Sequence, residues 1–178
     1  HFKFTSMIFK LRIISDEVET FLRIIEIQEN DTFLVLHTAI QEACGFDNSE
    51  ITSFFVSNNE WEKLYEITLM DMKDDENPTL LMATTPLHEH ITQVDDTLIY
   101  TFDQFSDRSL FITVTAIKEE EQGNAYPRCT HKTGTPPLMQ HDNIDALFDS
   151  LQYDDNDAFD SQDFDDEEFE DYYDDDEM

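Results

Sequence analysis

Apolar and polar residues alternate near the N-terminus of the chain. Phe9, Leu11 and Ile13 are separated by basic residues, and this period of two is typical of a strand with one buried face. A second apolar run extends from Phe21 to Ile27, after a short polar link at residues 15–17. The pattern predicts two strands joined as an antiparallel hairpin.

The next segment changes to a helical period. Its apolar residues recur at intervals of three, four and seven positions: Phe33, Leu36, Ile40, Ala43 and Cys44. Asp31 is positioned to cap the first turn, and Gly45 can adopt the left-handed conformation that closes a helix. One amphipathic helix is predicted between these two residues.

The remaining apolar runs are shorter. Further strands are predicted at Ile51–Val56, Thr97–Phe102 and Leu110–Ile117. Residues 61–67 are apolar without a clean period, so they fit a short strand or irregular structure equally well. Thr85 and Pro86 precede a predicted short helix at residues 87–93, because proline is tolerated at a first helical position.

This order predicts an α+β fold in two layers. A mixed sheet of about five strands would carry one long helix packed across it, in a β-grasp or ubiquitin-like order. Residues 1–6 are interpreted as an N-terminal extension, and residues 7–140 as a single domain with a Pro-rich arm from about residue 119. The predicted core is Phe9, Leu11, Ile13, Phe21, Ile25, Leu36, Ile40, Phe54, Tyr100, Phe102, Phe111 and Val114.

The last 38 residues have a different composition. Residues 141–178 contain eighteen acidic residues, no Lys or Arg, and an aromatic residue about every five positions. Such a segment is expected to be disordered alone and to bind a basic partner through its rings, although a purely solubilising role fits as well. The predicted partner-binding residues are Ile144, Leu147, Phe148, Leu151, Phe159, Phe164 and Phe169.

The charge of −32 limits the partners. Nucleic acid and anionic membranes are not expected, because both are bound through clustered basic residues, and no apolar run approaches the roughly 20 residues that span a bilayer. No secretory leader is visible. The expected protein is a cytoplasmic monomer without a cofactor, whose partner is a basic protein surface.

Few residues point to catalysis or metal binding. His37 lies beside the apolar stripe of the helix, where a structural role is favoured over a functional one. His88 and His90 would point in different directions on a short helix, so they do not form a metal pair. Asp103 and Asp107 flank a tight connection and are interpreted as turn residues rather than paired catalytic carboxylates.

The two cysteines are also uninformative about chemistry. Cys129 and His131 offer at most two metal ligands, without the second pair that a zinc site requires. Cys44 lies in the predicted helix, and two cysteines are too few for a disulfide framework. No metal or phosphate-binding motif is therefore predicted.

Several motifs together carry a family likeness. The helix contains Leu-His, Ile-Gln-x-Ala and Gly-aromatic elements at residues 36–46, followed by the strand from Ile51. Weaker similarities are Arg23–Ile27, the segment Tyr100–Asp103 with Asp107, and the series Cys129, Gly134, Pro136 and Pro137. Over residues 8–137 the chain resembles the plasmid pRiA ORF-three-like family, passenger proteins of plasmids and insertion elements.

The resemblance implies an α+β fold and a family without an established activity. This chain also departs from the family pattern. Leu22 stands where the family usually has Trp, Glu50 replaces a His, and residues 108–111 lack an expected Trp and His. Leu138-Met139-Gln140 replaces an acidic Gly-rich stretch.

Two classes of function follow. The leading prediction is a non-enzymatic accessory or adaptor protein whose acidic-aromatic segment binds a basic surface. The alternative is a small ligand-binding or enzymatic domain with a site between helix and sheet. A concave site with converging polar groups would favour the alternative.

Overall fold

The structure is a computed structural model that describes residues 5–71, 76 and 79–139. All its helices and strands belong to the first of two units into which the chain divides, residues 1–137. The predicted disorder of residues 141–178 lies outside the described residues. So do the predicted partner-binding residues Ile144, Leu147, Phe148, Leu151, Phe159, Phe164 and Phe169.

Among the described residues, eight strands form one mixed sheet in the order β5-β4-β3-β6-β7-β1-β2-β8. Neighbouring strands are antiparallel except β4 and β5, which are parallel. The strands are β1 (Met7–Ser15), β2 (Leu22–Gln28), β3 (Ser53–Ser57), β4 (Lys63–Thr68), β5 (Leu80–Leu81), β6 (Thr97–Asp103), β7 (Arg108–Glu119) and β8 (Arg128–Thr133).

The predicted N-terminal hairpin is present. β1 and β2 pair antiparallel, with Leu11 opposite Ile25. β7 pairs with the other side of β1 and places Val114 opposite Leu11. Because side chains alternate between the two faces of a strand, these three apolar residues lie on one face of the sheet.

The one α-helix in the described part of the chain, α1 (Phe33–Cys44), packs on that face. Its N-cap is Thr32, whose Oγ1 accepts the Val35 N–H at 3.3 Å, and not Asp31 as predicted. Its C-cap is Gly45, which has a φ of 67°, as the sequence predicted. The helix buries the residues of its apolar stripe together with His37 and Gln41.

Most of the predicted core is confirmed. All of its members are buried except Phe111. Phe111 alternates with the buried Leu110 and Ile112, so it faces away from α1 and is half-buried against Trp61, with ring centroids 5.2 Å apart. The core prediction therefore assigned this one residue to the wrong face of the sheet.

The predicted fold class is wrong. The described residues form a predominantly β fold with eight strands and one α-helix, not an α+β fold with a sheet of about five strands. β5 and β8 were not predicted, and β4 lies where a short strand or irregular structure was left open. Within the predicted short helix at residues 87–93 only the 3₁₀ turn Leu87–Glu89 forms, and a second 3₁₀ turn, Met82–Thr84, precedes it.

The missed strands lack the signals on which the prediction depended. The first half of β4 is exposed, β5 has only two residues, and most of β8 is exposed at the sheet edge. An exposed edge strand needs no apolar alternation, because backbone hydrogen bonds to its neighbour can define it. The Pro-rich arm predicted from about residue 119 thus contains a strand.

A buried carboxylate helps to attach this edge. Glu26 on β2 forms ion pairs with Lys118 on β7 and with Arg128 on β8, the latter at 2.6 Å. Burial alone would raise the pKa of Glu26, but hydrogen bonds from the two basic side chains outweigh it, and the pKa is lowered. Three strands are therefore linked at one ionised side chain.

No helix among the described residues is long and apolar enough to cross a membrane.

Candidate functional site

Polar side chains converge where the C-terminal half of α1 meets β6 and the loop after the helix. His37 and Gln41 lie one helical turn apart on the buried side of α1, and Tyr100 lies opposite them on β6. Asn48, with a left-handed φ of 59°, comes from the loop. Asparagine tolerates this conformation better than most residues, which explains why the loop can turn back toward the helix here.

These four residues form a closed ring of hydrogen bonds, called the polar ring below. Gln41 Nε2 donates to Tyr100 Oη at 2.6 Å, and Tyr100 Oη lies 2.8 Å from His37 Nδ1. His37 Nε2 lies 2.8 Å from Asn48 Oδ1. The Asn48 backbone N–H then donates to Gln41 Oε1 at 2.9 Å.

The ring determines the protonation of His37. Since Tyr100 Oη accepts from the Gln41 amide, its own hydrogen is free to point at Nδ1 of the imidazole. Asn48 Oδ1 can only accept, so His37 Nε2 carries a hydrogen, and the neutral Nε2–H tautomer satisfies every bond of the ring. Burial lowers the pKa of His37, and the hydrogen bond to Asn48 offsets this only in part.

Three of the four residues of the ring are buried, and Asn48 is exposed. His37 and Gln41 are 2% and 5% exposed, and burial also raises the pKa of Tyr100. Thr52 supplies another hydroxyl, with its Oγ1 3.2 Å from His37 Nδ1. Because an unpaired polar group in this position would lose its hydration without compensation, each bond supports the others.

A cleft of about 450 Å³ lies beside the polar ring. It is called the cleft below and is lined by His37, Thr38, Gln41, Glu42, Gly45, Phe46, Asp47 and Asn48. The polar ring forms one wall, and the loop after α1 forms the other. The cleft is concave, but it is lined by α1 and the following loop and not by the sheet, so it is not the site between helix and sheet that the alternative function expects. The imidazole in its lining already uses both nitrogens.

The other candidate residues do not join this site. Asp103 is buried, with Oδ1 accepting the Ser106 N–H at 3.2 Å and Oδ2 3.7 Å from Arg108. Asp107 is exposed and pairs with Lys63 at 3.1 Å. Asp103 thus has the predicted turn role of accepting a backbone N–H, whereas the Asp107 side chain forms an ion pair instead.

His88 and His90 differ in their surroundings. His88 is exposed, whereas His90 Nδ1 lies 2.7 Å from Tyr65 Oη and its ring packs against Phe33. Burial lowers the pKa of His90. Among the described residues no group of three or more His, Cys, Asp or Glu side chains is placed to hold a metal ion.

The cysteines are both reduced. Cys44 is buried at the end of α1, and burial raises the pKa of its thiol to about 12. Such a thiol is not ionised at neutral pH and is a poor nucleophile. Cys129 on β8 donates to the His131 carbonyl at 3.3 Å.

Sequence reasoning found His37 but missed its partners. Gln41 was noted only as part of a motif, Tyr100 was noted as a motif and core residue, and Asn48 and Thr52 were not singled out. No local pattern connects a helix residue with a strand sixty positions later along the chain. The one available signal was that His37, Gln41 and Tyr100 all occur in the segments that carry the family likeness.

Comparison with known proteins shows the family to which the chain belongs. The sequence profile described as plasmid pRiA4b ORF-3-like protein matches residues 7–176. The chain belongs to this family. In this plasmid pRiA4b ORF-3-like protein, the polar residues of the helix motif and the tyrosine of the strand motif meet in the polar ring.

The fold is also found in a solved structure. The crystal structure of a protein of unknown function from Methanosarcina mazei Go1 has a TM-score of 0.58 and 23% identity, covering 72% of this chain and 70% of that one. This likeness supports the fold alone. No curated protein matches the chain.

The C-terminal family motif has a steric explanation in this chain. Gly134 has a φ of 71°, and a Cβ atom there would lie 2.3 Å from the backbone oxygen of Thr20. Only glycine combines this conformation with so close an approach of two backbone segments. The motif glycine thus packs the chain after β8 against the turn between β1 and β2.

Proposed function

We propose that this plasmid pRiA4b ORF-3-like protein is a non-enzymatic accessory or adaptor protein of the cytoplasm that binds a basic protein surface. The observation that carries the proposal is the composition of residues 141–178, with eighteen acidic residues, seven aromatic residues and no Lys or Arg. Acidic side chains attract a basic surface, and the rings supply apolar contact area.

The charge of the folded residues supports the same sign of partner. The described part of the chain holds 22 acidic and eight basic residues. Several of the basic residues are already engaged, such as Lys118 and Arg128 with Glu26, and Arg108 with Glu17. A surface of this kind favours cationic partners and disfavours nucleic acid.

The bonding of the polar ring argues against acid-base catalysis at the cleft. A catalytic base must be able to reach a substrate proton. His37 instead accepts from Tyr100 and donates to Asn48, and its side chain is buried. Its role in the proposed function is to hold the loop after α1 against the helix.

The experiment is affinity capture from a lysate of the source organism with the tagged full chain. A variant with Phe148, Phe159, Phe164 and Phe169 replaced by Ser keeps every acidic residue, so it separates ring contacts from charge. The expected result is capture of a basic protein by the native chain and its loss with the variant. Undiminished capture by the variant would leave only a charge effect, and no capture of any basic protein would refute the proposal.

A second candidate is a small-ligand site in the cleft. The observation that favours it is the cleft's concave shape and volume beside converging polar groups. A screen by thermal shift, with the native chain and with His37→Gln, tests this candidate. A ligand that stabilises only the native chain would favour it over the adaptor role.

A further inference from the structure

The two cysteines of the chain belong to elements that lie next to each other. Cys44 is the last residue of α1, and Cys129 lies on the edge strand β8. Cα atoms of these two elements come within 8 Å of each other. Both thiols are free, so their relative position determines what they can do together.

Arg23 connects the C-terminal end of α1 with β8. Its Nε donates to the carbonyl of Ala43, the residue before Cys44, at 2.9 Å. Its Nη1 donates to the carbonyl of Thr133, the last residue of β8, at 2.8 Å. Since Arg23 is only 5% exposed, one buried side chain holds the end of the helix beside the edge strand.

An irregularity in β8 determines the face to which Cys129 points. The register between β2 and β8 shifts by one residue at Thr130, so that Cys129 lies opposite Ile25. Cross-strand partners share a face of the sheet, and Ile25 is fully buried on the face that α1 covers. In an unbroken register Cys129 would lie opposite Glu26 and face away from the helix. The same shift brings Arg128 opposite Glu26, so one bulge accounts for both the ion pair and the direction of the thiol.

The electrostatics at the end of α1 agree with neighbouring thiols. Burial raises the pKa of the Cys44 thiol to about 12, Arg23 and Lys132 oppose this rise, and a charge on Cys129 adds to it. Because the interaction of two charges weakens with the distance between them, this coupling indicates that Cys129 is close to Cys44.

The two thiols differ in exposure. Cys44 is only 8% exposed, whereas Cys129 is half-buried at the sheet edge, where its Sγ donates to the His131 carbonyl at 3.3 Å. A small oxidant can therefore reach Cys129 before it reaches Cys44. An accessible cysteine beside a second, resolving cysteine is typical of redox-sensing sites.

We propose that Cys44 and Cys129 are a redox modification site, which forms a reversible intramolecular disulfide in the presence of a small-molecule disulfide such as glutathione disulfide. The Cys129 thiolate attacks one sulfur of glutathione disulfide, which gives a mixed disulfide and releases one glutathione. The Cys44 sulfur then attacks the Cys129 sulfur and releases the second glutathione. The protons of the two protein thiols end on the two released glutathiones, so the protein pair is oxidised by two electrons and glutathione disulfide is reduced by two.

The new bond fastens the end of α1 to the edge of the sheet. The two cysteines are 85 positions apart in the sequence, so the bond removes much of the freedom of the unfolded chain. The modification does not depend on the proposed basic partner.

The test is an equilibrium titration of the reduced full chain in mixtures of glutathione and glutathione disulfide, stopped by alkylation. The expected product has lost the mass of two hydrogen atoms, is not alkylated at either cysteine, and yields a digest in which Cys44 and Cys129 are linked. Excess dithiothreitol should restore both thiols. A mixed disulfide at Cys129 as the final product, or bonds only between chains, would overturn the proposal.

The matched control is the same titration in concentrated urea, which removes the fold and leaves both cysteines in place. The equilibrium constant for forming the bond should be at least about tenfold larger in the folded chain, because the fold holds the two thiols together. A smaller ratio would mean that the fold does not position the thiols.

Two variants assign the order of attack. Cys44→Ser should stop at the mixed disulfide on Cys129, whereas Cys129→Ser should leave Cys44 almost unmodified, because its thiol is buried and protonated. Modification of Cys44 in the second variant as fast as that of Cys129 in the first would overturn Cys129 as the attacking thiol.

Discussion

Replacing Tyr100 by Phe tests whether the polar ring stabilises the fold. The change removes one oxygen and leaves the aromatic ring packed against Phe54, at a centroid distance of 4.8 Å. Gln41 Nε2 would lose its acceptor, and His37 Nδ1 would lose one hydroxyl. The loss is therefore confined to hydrogen bonding inside a filled site.

The two partners are not affected equally. Thr52 Oγ1 already lies 3.2 Å from His37 Nδ1, so the imidazole keeps a hydroxyl donor. Gln41 is 5% exposed, and leaving one buried amide donor unpaired costs about 1–3 kcal/mol. We expect Tyr100→Phe to lower the free energy of unfolding by that amount.

The measurement is urea unfolding of the full chain by far-ultraviolet circular dichroism, with linear extrapolation. Tyr126→Phe is a matched control, since the Tyr126 hydroxyl accepts a single exposed backbone N–H at 3.3 Å. This control variant should change the free energy of unfolding by less than about 0.5 kcal/mol. In a Gln41→Met background, Tyr100→Phe should cost at least about 1 kcal/mol less, because the stranded amide is absent. A cost below about 0.5 kcal/mol for Tyr100→Phe, or no difference between backgrounds, would refute the reasoning.

Three further outcomes are expected. Leu36→Ala and Ile40→Ala each truncate a fully buried side chain, so each should lower the unfolding free energy by about 2–5 kcal/mol in the same assay. Losses below about 0.5 kcal/mol at both sites would mean that α1 does not dock on the sheet. Burial lowers the pKa of His37 below the ordinary 6.5, so the unfolded chain binds a proton at His37 more tightly than the folded chain does. The contribution of neutral His37 to stability is therefore complete above pH 6.5 and decreases as the pH falls toward the lowered pKa. Between pH 8 and pH 5 the melting temperature of His37→Gln should fall less than that of the native chain, and identical profiles would contradict the lowered pKa of His37. Deleting residues 141–178 should leave the melting temperature nearly unchanged or slightly higher, because self-repulsion is reduced, whereas a large drop would make the segment part of the folded domain.

The sequence predicted those elements whose burial pattern is regular. β1, β2 and α1 each have one apolar face, and the Gly45 cap requires a left-handed residue, so local physics was sufficient for them. β8 was missed because its residues are mostly exposed, and only its pairing with β2 makes it a strand. The count of strands, and with it the fold class, depended on such long-range pairing.

The candidate site was less predictable than the fold. His37 was predicted to be structural, since a histidine beside an apolar stripe is usually buried and paired, and it is buried and hydrogen-bonded through both ring nitrogens. Its partners could not be inferred, because they are set by which strand lies beneath the helix and by the left-handed turn at Asn48. The cleft could not be inferred either, because it forms only where the loop after α1 turns back toward the helix at Asn48.

The position of β1 in the sheet has consequences for synthesis on the ribosome. β1 pairs with β2 on one side, but its other neighbour is β7, with Ile14 opposite Phe111, and the free side of β2 is taken by β8. At roughly 5–20 residues per second, the N-terminal hairpin must wait several seconds with both outer edges unpaired. During that interval nascent chains can pair with one another through those edges, and the alternating basic residues Lys10 and Arg12 on β1 oppose such pairing by mutual repulsion.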